Sequence, residues 1–331
     1  MKPDSSLAAR AGFKWSSLLL RWELILIPLL AIVMFTNGRL SQYFWDPFNL
    51  GDATFNFSEK GMIAIAMALL ILTREIDLSV SSIIALSSLV MGLAAQGGVT
   101  TPYLVLLAVL TGTVAGLFNG FLVIRFAVPS IAVTLGTMSL YRGISQAILG
   151  DQALTTYPES LAALGQGYLL EPIPYSFVTF LGLALIVGVV LHRTRWGRQL
   201  YAIGNNPETA KFSGIPVARY RLILFGLSGT FAGLAAAFLT SRISSTRPNI
   251  AQGWELDVIT MVVLGGVGIA GGTGSMAGVV LAVLLLGMIS FGLALLNVPG
   301  IVASIFIGGL LIGAIALPPL IKKILRVGGR K

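Results

Sequence analysis

The stretch RTRWGRQLYAIGNNPETAKFSGIPVARYR, residues 193–221, separates two long apolar runs and is the longest hydrophilic interval between the first and the last of them. It carries six basic residues and one acid, Glu208. Asn206 followed by Pro207 and Glu208 is typical of a capped helix start, so we predict a short helix over 206–212 that ends at Gly214. A capped helix in a basic interval between apolar runs indicates a loop that leaves a membrane.

The composition of the whole chain supports a membrane protein. Hydrophobic residues make up 56% of the 331 residues and charged residues 11%, with 39 glycines and a mean hydropathy of +0.89. A soluble domain of this size does not have such a composition. The sequence therefore predicts an all-α, polytopic helical bundle, and residues 1–331 form a single transmembrane domain. The first apolar run has no small-residue cleavage site, so we expect a retained span and not a removed signal.

Ten apolar runs are long enough to be considered as membrane spans. A span needs about 20 mostly apolar residues, and fewer where a broken helix is lined by protein. Eight spans remain an alternative if the short runs 60–74 and 257–270 are re-entrant, because removing a pair preserves the sidedness of the rest. The ten runs are 18–36, 60–74, 77–96, 102–124, 127–149, 174–191, 222–240, 257–270, 275–295 and 299–319.

Basic residues predict the orientation of these spans. They cluster near the N-terminus, in 193–221 and in the tail 320–331, and such clusters remain on the cytoplasmic side of a membrane. Between Arg142 and Arg193 the charged residues are all acidic, so that loop faces outward. An even number of spans, with both termini and 193–221 in the cytoplasm, satisfies these markers.

The two short runs resemble each other. Each is followed by a polar or glycine-rich break, residues 74–79 in one case and 271–275 in the other, and then by a full-length run. An offset of 196 places Ser79 on Ser275 and Ser82 on Gly278. Either this is a parallel repeat with a pathway between its halves, or it is chance similarity of apolar runs.

Several function classes are excluded by what the sequence lacks. It has no cysteine and one histidine, which excludes disulfides, iron–sulfur centres and thiolate or histidine metal clusters. The net charge of +9 lies at span ends and not along a face, so nucleic acid is not an expected partner. The sequence contains neither a nucleotide-binding loop nor a catalytic triad. We expect that the chain is not an enzyme and holds no metal or other cofactor.

Polar residues inside the apolar runs are candidates for a translocation pathway. Asp77 is the most informative, because an ionisable group near a span is costly and usually faces a partner or an aqueous cavity. A local ion pair of Arg74 with Glu75 or Asp77 at the end of a span is the structural alternative. A proton or sodium relay lacks a second acid at any span centre. The candidates are Asp77, Ser79, Asn119, Thr137, Gly266 and Gly272.

Three basic residues fall on the predicted outer side, where basic residues are uncommon. They are Arg242, Arg247 and Lys60. Solvated loop charges would account for them, and docking of an acidic partner from outside is the functional interpretation.

Three motifs now point to a family. Residues 76–80 read IDLSV, residues 197–206 read GRQLYAIGNN ahead of Ser213-Gly214-Ile215, and VLGG at 263–266 precedes GGTG at 271–274. In this order they resemble the permease subunit of bacterial sugar ABC importers of the ribose, xylose, rhamnose and autoinducer-2 group, over about residues 55–320. The family usually has Gly-Gly where this chain has Arg74-Glu75.

The resemblance implies a set of partners in the bacterial inner membrane. These are a second permease, identical or paralogous, two cytoplasmic ATPase subunits that carry ATP and magnesium, and a periplasmic sugar-binding protein. Residues 193–221 would be the cytoplasmic coupling loop, and Arg242, Arg247 and Lys60 would dock the binding protein. The residues that would contact the ATPase are Asn205, Asn206, Glu208, Ala210, Gly214 and Arg219.

The function expected from the resemblance is import of a monosaccharide by alternating access. Residues 52–57, 150–152, 157–160 and 244–255 are most similar to rhamnose permeases, so rhamnose is the expected solute. An ion-coupled secondary sugar transporter that acts alone is the alternative from another class. An integral-membrane enzyme for lipid-linked substrates would need clustered acids or histidines, and only residues 75–77 offer any.

Overall fold

A computed structural model describes residues 23–328 of the chain. Basic residues before 23 and after 328, which contributed to the predicted orientation, lie outside the described residues. The described part contains thirteen helices and one two-stranded sheet. In chain order these are α1 (Glu23–Leu40), α2 (Pro47–Leu72), α3 (Val80–Gln96), α4 (Thr101–Phe126), α5 (Ser130–Leu149), α6 (Glu159–Gln166), β1 (Tyr168–Leu170), β2 (Ile173–Pro174), α7 (Tyr175–Arg193), α8 (Arg195–Asn205), α9 (Pro207–Phe212), α10 (Val217–Ile243), α11 (Trp254–Leu264), α12 (Met276–Leu295) and α13 (Gly300–Gly328).

The predicted all-α membrane bundle is confirmed. Within residues 23–328, six helices are long and apolar enough to cross a membrane, namely α1, α2, α4, α7, α10 and α12. Two shorter apolar stretches are α3, with 17 residues, and residues 300–313 of α13. The number of spans, ten or eight, stays a prediction.

The two short runs differ in the structure. The run 60–74 is the second half of α2, whose 26 residues extend for about 39 Å, so this run does not need to re-enter the membrane. The run 257–270 instead contains the 11-residue helix α11, about 16 Å long, which then gives way to an irregular segment.

Helix α2 is the centre of the bundle. In its most apolar window, 89% of the residues are buried. Every residue from Met62 to Leu72 is buried, on all sides of the helix, so the apolar pattern shows no helical period. Such a helix is held by packing on every side, which makes it the element around which the others are placed.

Helices α4 and α10 pack through glycines. A Cβ atom on Gly112 or Gly116 would collide with backbone atoms of α10, and one on Gly229 or Gly233 would collide with backbone atoms of α4. Close approach of two backbones is the usual role of small residues in membrane helices. Gly112 and Gly116 therefore serve the packing of α4 against α10.

One end of the bundle, here called the loop face, carries residues 193–221 and both breaks. Asn206 caps α9, because its side chain accepts hydrogen bonds from the backbone N–H groups of Glu208 and Thr209, each at 3.0 Å. The chain then turns at Gly214, with φ of 81°. The predicted capped helix is therefore confirmed, whereas α8, which precedes it, was missed.

The other end, here called the opposite face, carries α6 and the hairpin of β1 and β2. The hairpin is fastened to α2 by a hydrogen bond of 2.5 Å from the Tyr168 hydroxyl to Asp52. This bond, with some burial, raises the pKa of Tyr168 to about 12. Residues 244–253 also enter the bundle here. The hydroxyl groups of the buried residues Thr246 and Ser88 form a hydrogen bond of 2.5 Å.

Candidate coupling and translocation site

The loop on the loop face is tied directly to the first break. The Arg74 guanidinium donates hydrogen bonds to the backbone oxygens of Gly204, at 2.7 Å, and Asn205, at 2.6 Å. These oxygens lie at the C-terminal end of α8, where carbonyls lack partners within the helix and a cation is favourable. The sequence-based alternative of a local pair between Arg74 and Glu75 or Asp77 is wrong, because the partners of Arg74 lie 130 residues away.

Glu75, the next residue, is tied to the other side of the same loop. Its carboxylate lies 2.8 Å from Nε of Arg221, near the start of α10. The Glu75 side chain is 7% exposed and that of Arg221 is 30% exposed. Burial raises the pKa of Glu75 above its ordinary value, and the Arg221 guanidinium opposes that rise. The ion pair therefore compensates a carboxylate that has lost most of its water.

The second break is hydrogen-bonded to the end of α2, next to the first break. The Gly272 N–H donates a 2.8 Å hydrogen bond to the Leu72 oxygen at the end of α2, and the Tyr201 hydroxyl donates to the Gly274 oxygen at 2.7 Å. A Cβ on Gly204 would collide with the Leu72 oxygen and the Gly272 nitrogen. Gly272 also has φ of 76°, a region that favours glycine. Both breaks and α8 thus meet in one tightly packed place.

A chain of buried hydrogen bonds begins at Asp77. Its carboxylate accepts bonds from the Ser79 hydroxyl at 2.6 Å and the Ser228 hydroxyl at 2.9 Å. The Asn119 amide donates to the Ser79 oxygen at 2.8 Å, and the Tyr141 hydroxyl donates to the Asn119 oxygen at 3.2 Å. The donors of Asn119, Ser79 and Ser228 point toward Asp77, whereas the Tyr141 hydroxyl shares its one proton between the Asn119 oxygen and the Ala115 backbone oxygen, 3.0 Å away. The five side chains are 5% exposed or less. The network joins the first break to α4, α5 and α10.

The structure places the pathway candidates in two groups. Asp77, Ser79 and Asn119 lie in the buried network. Gly266, just after the end of α11, and Gly272, in the second break, both have positive φ. Sequence reasoning missed Tyr141 and Ser228. Tyr141 follows Thr137 by four residues on α5, so a search along that helix face would have found it.

Two apolar grooves run along α4 and α5. The first, of about 460 Å³, is lined in part by Leu110, Phe118 and Tyr141, and the second, of about 370 Å³, in part by Phe126 and Thr137. Tyr141 is therefore the point at which the buried network reaches a groove. Thr137 is 5% exposed and bonds to the Thr134 oxygen, outside the network.

Most of the candidate ATPase contacts are accessible on the loop face. Asn205, Asn206, Glu208, Gly214 and Arg219 are exposed. Ala210 is 4% exposed and packs against its own chain, so it anchors α9 and offers no surface to a partner.

Phe212, which the sequence reasoning did not select, is 90% exposed at the end of α9. A bare aromatic ring beside a charged helix is typical of a contact residue.

The three candidate docking residues on the opposite face differ. Arg242 makes two 2.9 Å bonds to the buried Glu59, and Lys60 lies 2.5 Å from Asp257. Arg247 is exposed, and its side chain makes no hydrogen bond or ion pair within the described part of the chain. Of the three, Arg247 is the one whose charge is not used inside the molecule.

Among residues 23–328, no group of three His, Cys, Asp or Glu side chains is arranged to hold a metal ion.

The fold and this site define a class of protein, a multi-pass transport subunit of a membrane whose polar loop contacts the breaks in its helices. Residues 50–315 match the family described as the branched-chain amino acid transport system, permease component. The chain belongs to this family of permeases. It is accordingly a protein of the bacterial inner membrane and a transport component, not an enzyme.

Curated relatives agree with the family. The autoinducer 2 import system permease protein LsrD of Escherichia coli K12 is 34% identical over 297 residues, which cover 88% of this chain and 90% of the relative. LsrD of Yersinia enterocolitica is also 34% identical, over 88% of this chain and 89% of the relative. The chain is therefore a permease subunit of an ABC importer of the sugar-transporting group, and such subunits work with ATPase and substrate-binding partners. The alternative of an ion-coupled transporter that acts alone is not favoured.

Proposed function

We propose that this permease imports a monosaccharide, rhamnose, by alternating access that is driven by ATP hydrolysis on two partner subunits. The observation that carries the proposal is the contact of residues 193–221 with both breaks. A loop that is bonded to Arg74, Glu75 and Gly274 can pass a movement to the two interrupted hairpins. The loop face is then the cytoplasmic face, and a second permease chain completes the membrane part.

Helix α9 is the proposed contact with the ATPase. Phe212 offers an exposed apolar ring, and Glu208 offers an exposed charge four residues earlier, on the same side of the helix. An aromatic anchor beside a polar residue is the usual composition of an energetically important contact. Asn205, Asn206, Gly214 and Arg219 would form the rim of this contact.

Docking of a periplasmic binding protein is proposed on the opposite face. Arg247 would meet an acidic residue there, since its charge is exposed. Arg242 and Lys60 support the docking surface indirectly, because their ion pairs with Glu59 and Asp257 hold α10, α2 and α11 together.

Two solutes are candidates for import by this permease. Rhamnose is favoured by the similarity of residues 244–255 and other outer segments to rhamnose permeases. Autoinducer 2 is the second candidate, because the E. coli relative named for its import is 34% identical over 88% of this chain.

The experiment is uptake into proteoliposomes that contain the permease, its partner ATPase and a binding protein. With proton and sodium gradients collapsed, we expect ATP-dependent accumulation of labelled L-rhamnose, with little accumulation of autoinducer 2. Accumulation of autoinducer 2 alone would replace the solute but keep the mechanism. Uptake that requires an ion gradient and no ATP would contradict the mechanism itself.

A further inference from the structure

The first break holds two adjacent residues of opposite charge, and the first of them has an unfavourable backbone conformation. Arg74 has φ of 68°, a left-handed value that is uncommon for a residue with a side chain. Such a conformation persists where surrounding contacts hold it. The contacts of Arg74 and of its neighbour Glu75 therefore hold this backbone conformation in place.

The two side chains grip opposite flanks of one loop. Arg74 donates to the oxygens of Gly204 and Asn205, immediately before α9. Glu75 pairs with Arg221, a few residues after α9, in the first turns of α10. Because both grips come from consecutive residues, the two flanks of α9 are fastened to the same point of the break.

The residues that flank Arg74 and Glu75 extend this connection into the helical bundle. Asp77, two residues further on, accepts a hydrogen bond from Ser228 of α10 at 2.9 Å, and Leu72, two residues earlier, accepts the bond from Gly272 of the second break. A displacement of the loop flanks therefore reaches both breaks through bonded neighbours and not through a flexible linker.

We propose that Arg74 and Glu75 are the positioning residues that clamp the first break to both flanks of α9, so that loop and break move as one unit during transport. The proposal rests on the proposed function, since it specifies how the loop passes movement inward. It assigns no contact with the solute to either residue. Its expected signature is a loss of coupling between ATP hydrolysis and uptake in the importer that is recovered folded, with thermal stability measured in parallel.

The first test exchanges the charges of the buried pair. Glu75→Arg and Arg221→Glu, each alone, should lower the amount of solute taken up per ATP hydrolysed about tenfold in reconstituted importer. The double exchange should recover much of this ratio, because the pair re-forms with reversed polarity. A ratio unchanged in both single variants, or a double variant no better than the singles, would overturn the role of Glu75. Arg125→Gln, an exposed arginine at the end of α4, is the matched control.

The second test uses the absence of cysteine from this chain. Arg74→Cys with Asn205→Cys removes the guanidinium clamp, and a short bifunctional thiol reagent restores a tether between the same two residues. We expect a reduced uptake-to-hydrolysis ratio before cross-linking and recovery after it. No recovery, or complete loss of uptake, would show that loop and break move relative to each other and would overturn the proposal.

Two controls separate these outcomes from failure of the proposed function. The unmodified chain with the same reagent reports on thiols of the partner subunits. If the unmodified importer shows no ATP-dependent uptake, the proposed function fails. If it does and the Arg74 and Glu75 variants keep its full ratio, the clamp fails while the function stands.

Discussion

At the scale of single residues, Asp77 shows how a buried carboxyl group is hydrogen-bonded where no basic side chain of residues 23–328 pairs with it. Its carboxylate receives hydrogen bonds from the backbone and hydroxyl of Ser79 and from the hydroxyl of Ser228. Several donors of this kind can replace the water that a carboxylate loses on burial. Since the side chain is 0% exposed, its role in this conformation is to organise the break and not to contact a solute.

Asp77→Ala should therefore destabilise the fold. It leaves donors of Ser79 and Ser228 buried without an acceptor, which costs about 1–3 kcal/mol. Asp77→Asn retains one acceptor oxygen and should cost less. Thermal unfolding in detergent measures both, and an alanine variant as stable as the unmodified chain would show that the network is not structural.

Arg242 and Arg247 differ in whether their charge is paired inside the molecule, so their substitution should have different effects. Arg242→Glu would place a second carboxylate against the buried Glu59, so the protein should lose several kcal/mol of stability and be recovered poorly from membranes. Arg247→Glu should leave stability unchanged and weaken docking of the binding protein. Docking affinity in nanodiscs, with thermal stability measured in parallel, distinguishes them. Unchanged affinity for the Arg247 variant would discard that contact.

At the scale of elements, the contact of α4 with α10 is the tightest in the bundle. Glycines alternate across it so that the backbone of each helix lies against the other. Helix α10 begins within residues 193–221 and ends at Ile243, so this contact supports the element that links the two faces. Substitution there should act on stability before it acts on transport.

Gly116→Val or Gly229→Val should push α4 and α10 apart and cost about 1–3 kcal/mol. Gly182→Val on α7 is the matched control, because a Cβ there meets nothing within 4 Å. Thermal unfolding of the three variants in one detergent makes the comparison. Equal stability of the contact variants and the control would contradict the packing described for these helices.

At the scale of the whole molecule, the sequence predicted the helical membrane bundle and the capped helix α9. It placed the start of the second span at residue 60, whereas α2 begins at Pro47. Hydropathy excluded residues 47–59 because they include polar side chains such as Glu59. That charge is satisfied by Arg242, 183 residues away, and a pairing of this range is not visible in local patterns.

The site was predicted in its parts and not in its connections. The local motifs indicated Asp77, Asn206 and Glu208, because capping and buried charge are properties of short segments. The grip of Arg74 on α8 depends on how distant segments pack, and sequence reasoning assigned it to a local pair. Phe212 was missed for a similar reason, since an aromatic residue reads as core until burial is known.

We propose that energy enters the permease through residues 193–221, and Glu208→Lys tests this role most directly. Glu208 is exposed in the first turn of α9, and its side chain makes no hydrogen bond or ion pair within the described part of the chain. The change should therefore weaken the start of α9 by less than about 1 kcal/mol and leave the rest of the fold unchanged. Uptake and ATP hydrolysis are measured together in proteoliposomes that hold the complete importer. We predict that Glu208→Lys inserts normally and abolishes uptake while the partner still hydrolyses ATP; full uptake by this variant would contradict the account.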